Sequence, residues 1–354
     1  MILGKKNQIA GLDIGSRIIK VAEASETSKG FILKKFGTLD VPHGAIDESG
    51  IKNVEVVANS IRQLFKNTGI KISNVAVAIG GYSVIVKTIT VQTMTEEQLH
   101  NTIHIEAEQY IPFDMSDVNL DFQIVSEAGQ AQGQMKVLLV AAKKEIVSTY
   151  IKVVEKAGLT PMIVDVDAFA LQNVYEHNYD TVDGKNEHIA LIDIGASKTS
   201  LNILWNKNSV FMRDVPLGCS QIDERIMSEA KCSFDEAEAI KLGRQKGKLV
   251  GNRVKEIVTD VVSDWCTEIR RALEFYYSSY PEHRIKEVVL SGGGGNIKEF
   301  RDLLKDQTGT EVKLINPFQK IAIDEGRLDG AGIRRVASQA AICLGLATRR
   351  VDDK

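Results

Sequence analysis

The chain is 354 residues long, 44% of them hydrophobic, with a formal net charge of -3. That length suffices for two domains with separate cores, and the missing basic excess argues against a nucleic-acid protein. Cys219, Cys232, Cys266 and Cys343 show no C-x-x-C or metal-ligand spacing, so reduced structural thiols are expected. No apolar run approaches the roughly 20 residues of a membrane span, and the first residues lack a secretory apolar region.

The first signal in chain order is Ile9-Ala10-Gly11-Leu12-Asp13-Ile14-Gly15-Ser16, an apolar run ending in Asp-x-Gly. Such a run reads as a buried strand whose end supplies a carboxylate and a turn where main chain approaches a ligand closely. Taken alone, it is most often just a strand with a turn. An antiparallel meander is expected next, with strands over 18–22 and 31–39 joined by the polar turn 25–30. A helix over 53–68 then carries Val56, Val57, Ile61, Leu64 and Phe65 at helical spacing and stops at Gly69.

Residues 75–91 are rich in β-branched side chains, are interrupted at Gly80-Gly81, and suggest a strand or hairpin. Thr95-Glu96-Glu97-Gln98 is a capping-box pattern that starts a helix with the stripe Leu99, Ile103, Ala107, Tyr110 and Ile111, ended by Pro112. Strands over 118–125 and 135–142 complete a compact inserted unit. His100 and His104 lie one turn apart, but Asn101 stands where a zinc-protease helix needs Glu, so a solvated helix face is expected.

Beyond a polar connection at 178–187, Ile189-Ala190-Leu191-Ile192-Asp193-Ile194-Gly195-Ala196-Ser197 repeats the first layout half a chain later, with Asp193 answering Asp13. A repeat at so long a period predicts two similar subdomains facing each other, whose glycine turns clamp one phosphate chain across a cleft. Helices are expected around 221–230 and 235–242, the second carrying Glu238 and Lys241 at ion-pair spacing. The basic run Lys241, Arg244, Lys246, Lys248, Arg253 and Lys255 reads as a solvated face, and the long helix 255–279 as a core helix. Val288-Val289-Leu290-Ser291-Gly292-Gly293-Gly294-Gly295-Asn296 runs a short strand into four glycines ahead of a helical pattern over 299–304. Because glycine has no side chain to pack, this run is expected to let something flat lie against the main chain.

At these three sites the sequence resembles the actin-like ATPase superfamily. The resemblance implies ATP and Mg²⁺ as ligands, with Asp13, Gly15, Ser16, Arg17 and Lys20 forming a first phosphate loop and Asp193, Gly195, Ala196 and Ser197 a second. Backbone N–H groups at Gly15, Ser16, Gly195, Ala196 and Ser197 would face the phosphates, and Asp13 and Asp193 would hold Mg²⁺ through water. The same resemblance places Gly292, Gly293, Gly294 and Asn296 at the adenosine, and Glu238 and Lys241 at the ribose and adenine. Asp165 or Asp167 would orient an attacking water, with slow or absent turnover.

The stretches Glu106-Ala107-Glu108-Gln109-Tyr110-Ile111-Pro112-Phe113 and Val118-Asn119-Leu120-Asp121-Phe122, with Val164 to Asn173, narrow the resemblance to the type IV pilus assembly PilM family. It implies an α/β, actin-like (ribonuclease H-like) duplicated two-domain fold with an inserted SHS2-type subdomain. The implied division is 1A over 1–74 and 146–187, the insert 1C over 75–145, 2A over 188–220 and 285–335, 2B over 221–284, and a closing segment over 336–354 whose helix begins at 340. It further implies a cytoplasmic scaffold at the inner membrane, held there through the N-terminal cytoplasmic tail of PilN and, through PilN, PilO, and coupling nucleotide state to pilus biogenesis and twitching motility. Tyr110, Pro112 and Phe113 are the candidate groove residues for that tail, with helix termination and local packing as the plainer reading. Pilus motor ATPases and self-association remain open as further contacts. Two rivals are an FtsA-like division filament protein and an actin-fold phosphotransferase. FtsA closes on an amphipathic membrane helix where this chain closes on Arg349-Arg350-Val351-Asp352-Asp353-Lys354, and no sugar-specific motif appears.

Overall fold

The structure, a computed structural model, describes residues 8–126, 133–179, 187–244 and 251–351. Its first half opens with a meander of β1 (Ala10–Ile14), β2 (Ile18–Thr27) and β3 (Gly30–Asp40), followed by the two-residue strands β4 (Ile46–Asp47) and β5 (Gly50–Ile51). Helix α1 (Val54–Thr68) starts where the Asn53 side chain accepts from the Val56 N–H and stops at Gly69, whose φ of 63° suits glycine. It buries Val57, Ala58, Ile61, Leu64 and Phe65 against the sheet and leads to β6 (Asn74–Ile79), parallel to β1. The meander strands outrun the expected 18–22 and 31–39 because their pairing continues to a tight turn between Thr27 and Gly30.

The hairpin reading of 75–91 does not hold. Strand β6 lies inside the first sheet, whereas β7 (Val84–Gln92) belongs to a separate three-stranded sheet, so Gly80-Gly81 marks where the chain leaves one sheet for the other. Helix α2 (Glu96–Glu108), with its Thr95/Gln98 capping box, buries Leu99, Ile103 and Ala107 on a sheet ordered β7-β9-β8, where β8 is Val118–Ser126 and β9 is Gln134–Lys143. Helix α3 (Lys144–Lys156), β10 (Thr160–Val166) and α4 (Asp167–Asn178) return to the first sheet.

The second half comprises β11 (His188–Ile194), β12 (Thr199–Trp205), β13 (Asn208–Val215), α5 (Ser220–Ala230), α6 (Phe234–Lys241), α7 (Gly251–Ser279), β14 (Ile285–Ser291), α8 (Lys298–Thr308) and β15 (Glu311–Leu314). Strand β16 (Ala322–Ile323) then joins the first sheet beside β3, ahead of α9 (Gly330–Arg335) and α10 (Ala337–Ala347). The sheets, ordered β10-β6-β1-β2-β3-β16 and β13-β12-β11-β14-β15, share one plan: from the central strand β1 or β11, two successive antiparallel pairings run to one side and two successive parallel pairings to the other. Even the register repeats, since Asp13 pairs with Lys20 and Asp193 with Ser200.

Helix α10 runs from Ala337 to Ala347 rather than from 340 to 350, and it joins the halves. Ala340, Ala341, Leu344 and Leu346 share a core with Ala170, Leu171 and Val174 of α4 and with Leu191 and Val289 of the second sheet. Small residues let main chains touch there: a Cβ on Gly11 would lie 2.1 Å from the Cys343 carbonyl, and one on Gly345 only 1.8 Å from that of Ala170. No helix among the described residues is long and apolar enough to cross a membrane.

Candidate functional site: a charged cleft between the two sheets

Ligand sites in α/β sheets lie beyond the carboxyl ends of the strands. There β1 and β11 end on a shared cavity of about 1270 Å³ that is lined by both Asp13 and Asp193. The two glycine turns meet across it, with the Ser197 hydroxyl donating to that of Ser16 at 2.9 Å. They are built alike, since a Cβ on Gly15 would lie 2.8 Å from the Ile18 carbonyl and one on Gly195 3.1 Å from that of Lys198. The Gly195 N–H is spent on this closure, donating to the Lys198 carbonyl at 2.9 Å, so of the expected phosphate-facing amides this one is already engaged. Gly218 braces the second turn, as a Cβ there would fall 2.2 Å from the Ala196 carbonyl.

Lys20 Nζ lies 2.7 Å from Asp13 Oδ2, with both side chains 13% exposed. Burial disfavours the ammonium, but Asp13 and Asp193 outweigh it and raise the Lys20 pKa. Burial raises the Asp193 carboxyl against the opposing hydrogen bond from Ser291. A second cation, Lys198, was not singled out in the sequence. Its ammonium contacts the Asp167 carboxylate, sits 3.2 Å from Ser200 Oγ and 3.6 Å from Asp214 Oδ2, and stays charged despite burial. Burial pushes the Asp167 carboxyl up to about 6 even beside Lys198. Lys198 takes the place that Ile18 holds in the first copy, so matching the two copies pointed away from it.

At the mouth of the cleft, Arg17 of the first half grips Glu238 of α6, with Nε to Oε1 at 3.1 Å and Nη2 to Oε2 at 2.5 Å. Its guanidinium also lies 5.2 Å from the centre of the Phe234 ring. Lys241 is not the partner of Glu238 as the spacing suggested, but pairs with the buried Asp223 at 2.6 Å. Nor is the basic run a solvated face throughout, since Lys241, Arg244 and Lys255 line the cleft because α6 and α7 form one of its walls. Arg253 does face outward, paired with Glu229 and Glu256, whereas Lys246 and Lys248 lie outside the described residues.

The glycine run divides in two. Gly292 (φ 79°) and Gly294 are packed against Ile194, since a Cβ on either would fall 2.3 Å from that residue, but Gly292 also lines the cleft whereas Gly294 does not. Gly293 does line it, with nothing within 4 Å of where a Cβ would stand. Asn296 also lines the cleft, while its amide donates to Ser338 Oγ at 2.9 Å and fastens the turn to α10. Asp165, one of two candidates for orienting water, is buried away from the cleft and pairs with Arg349 at 3.3 Å, which leaves Asp167. Tyr110 and Phe113 sit on the three-stranded unit, their rings under Lys87 and Lys143 at 4.8 and 4.4 Å, and Pro112 is exposed between them. None of the three lines the cleft.

A profile of the family described as type IV pilus assembly protein PilM matches residues 11–351. The chain belongs to that family. A solved structure described as the PilM-PilN type IV pilus biogenesis complex is similar at a TM-score of 0.86 and 26% identity, covering 98% of this chain and 99% of that one. The cell division protein FtsA of Bacillus subtilis is 25% identical over 378 residues, covering 94% of this chain and 84% of that protein. MreB5 of Spiroplasma citri bound to ADP aligns at a TM-score of 0.52 and 10% identity, covering 97% and 95% of the two chains, a likeness of fold alone. Together with the duplicated sheets, these similarities make the fold actin-like and the protein a type IV pilus assembly protein.

Proposed function

We propose that this protein is a nucleotide-responsive scaffold whose cleft takes ATP with Mg²⁺ and whose inserted three-stranded unit takes the N-terminal tail of a PilN-type membrane protein. One observation carries the reading: two like glycine turns touch through Ser16 and Ser197 while Asp13 and Asp193 line the same cavity. A triphosphate is a small polyanion, and paired turns with oriented amides and a nearby cation suit it. Ser16, Ala196, Ser197 and the amide of Gly15 would face it, with Lys20 adding positive charge; Asp13 and Asp193 would hold the metal through its retained waters. The bare main chain at Gly293 suits a flat base, and Arg17, Glu238 and Lys241 would close the nucleoside end.

Two boundaries of the subdomain division move in this reading: the insert begins at residue 80 rather than 75 because β6 belongs to the first sheet, and the returning 2A segment stops short of residue 322 rather than running to 335 because β16 pairs with β3 of the first sheet. The similar solved structure is described as a complex with PilN. An extended tail binds by main-chain pairing plus apolar pockets, and Tyr110, Pro112 and Phe113 lie on the unit that would receive it. Held at the membrane by that tail, and through it alongside PilO, the protein would pass nucleotide state to the pilus platform. Turnover is expected to be slow, since Asp167, the water-orienting candidate that lines the cleft, is already paired with Lys198.

The test is a binding experiment with purified protein, ATP, Mg²⁺ and a synthetic PilN tail peptide. Binding of both, each altering the affinity for the other, supports the scaffold reading. A peptide that ignores the protein with and without nucleotide defeats it.

A further inference from the structure

The inserted unit is rooted on the inner end of the cleft. Its first residues after β6, Gly80, Tyr82 and Ser83, line the cavity. A Cβ on Gly80 would fall 2.2 Å from Asp167 Oδ2 and 2.3 Å from Lys198 Nζ, so this backbone lies directly on the ion pair. The next amide, Gly81 N–H, donates at 2.5 Å to Asp214 Oδ2 of β13, in the other half of the molecule. That oxygen is also the one 3.6 Å from Lys198 Nζ. Gly81 has a φ of 87°, and its carbonyl accepts from the Val84 N–H that begins β7. Beneath this root, Ile79, Val84, Ala142 and Ala168 form a small core joined by Met212 of β13.

One ammonium is therefore shared by two carboxylates: Asp167 faces the cleft, and Asp214 holds the first residues of the insert and does not line the cleft. We propose that Asp214 is a positioning residue that ties the occupancy of the cleft to the seating of the inserted sheet, with Lys198 as the group that reports occupancy. This inference rests on the proposed nucleotide site. An anionic ligand in the cleft draws Lys198 away from the two carboxylates. Asp214, losing its cation, then changes its hold on Gly81, and the sheet that starts at Val84 shifts on its apolar seat. A charge moved by a few ångströms at the root reaches the far unit because the root is gripped from both halves.

The experiment is hydrogen–deuterium exchange of the full chain with and without Mg²⁺ and the non-hydrolysable analogue adenylyl imidodiphosphate, alongside a direct titration of that nucleotide. In the native protein the nucleotide changes exchange at residues 81–92 by about 5-fold or more, the lower end of ordinary coupling. In Asp214→Ala, nucleotide affinity stays within about 3-fold and the change at 81–92 vanishes, whereas Asp214→Asn, which keeps an acceptor for Gly81 but not the charge, loses most of it. Retained nucleotide binding with an unaltered response in both variants overturns the link alone, as does a native protein that binds nucleotide without any response at 81–92. A native protein that binds no nucleotide sinks the proposed site and the link with it.

Discussion

Arg17 and Glu238 join the two halves of the molecule across the mouth of the cleft, so breaking that contact should loosen whatever the cleft holds. Glu238→Ala removes two hydrogen bonds, at 3.1 and 2.5 Å, from a guanidinium that also rests on Phe234. Fully exposed ion pairs contribute up to about 1 kcal/mol, and breaking fully buried ones costs about 3–5 kcal/mol. With side chains 16% and 19% exposed, this pair lies between those limits, at about 2 kcal/mol. If that energy opposes opening, a fluorescent ATP analogue leaves the variant about 30-fold faster, because each 1.4 kcal/mol is a factor of ten. Stopped-flow displacement measures the rate in native protein, Arg17→Ala, Glu238→Ala and the double variant. A clasp predicts that the double variant releases no faster than either single one. Additive effects would mean that each residue touches the nucleotide by itself, and the clasp would be refuted.

Gly345→Ala places a methyl 1.8 Å from the Ala170 carbonyl oxygen, where the nearest atoms are all main chain of Ala170 and cannot swing aside as a side chain would. A loss of about 3 kcal/mol or failure to fold is expected, and an unchanged thermal midpoint would contradict the close approach of α10 and α4. His188, 2% exposed, stacked on His283 and bonded to Tyr276, has its pKa pushed down by burial from 6.5 to about 4. The unfolded chain takes this proton near neutrality and the folded one does not, so the residue's contribution is complete above pH 6.5 and falls by up to about 3 kcal/mol as pH drops to about 4. Urea unfolding from pH 7 to 4 should show a shallower acid loss in His188→Gln, and identical slopes would show that the imidazole is not held neutral.

The sequence showed the duplication and the two strand-end turns because buried strands ending in Asp-x-Gly leave a local pattern that needs no tertiary information. Helix α1 was legible to within a residue, with its stop at Gly69 read directly and Asn53, read as its first residue, serving as its N-cap. The hairpin over 75–91 went wrong for the opposite reason: β-branched residues announce strands but not which sheet they enter, and β6 pairs with β1 more than 60 positions earlier in the chain. The same blindness to long range hid Lys198, whose importance comes from Asp167 and Asp214 on other elements. It also gave Glu238 the wrong partner, a nearby lysine instead of Arg17 across the cleft. The four glycines looked alike in sequence, yet Ile194 claims two of them and leaves Gly293 bare.

The central claim is that Asp13 and Asp193, brought to one cavity from opposite halves, hold a metal-bound nucleotide there. Titration of ATP by calorimetry, with Mg²⁺ and with EDTA, in native protein, Asp13→Ala and Asp193→Ala tests it most directly. Metal-dependent binding in the native protein that weakens at least about tenfold in both variants, a loss of about 1.4 kcal/mol or more, is the predicted result. Affinity that is the same in all three proteins, or indifferent to Mg²⁺, would contradict it.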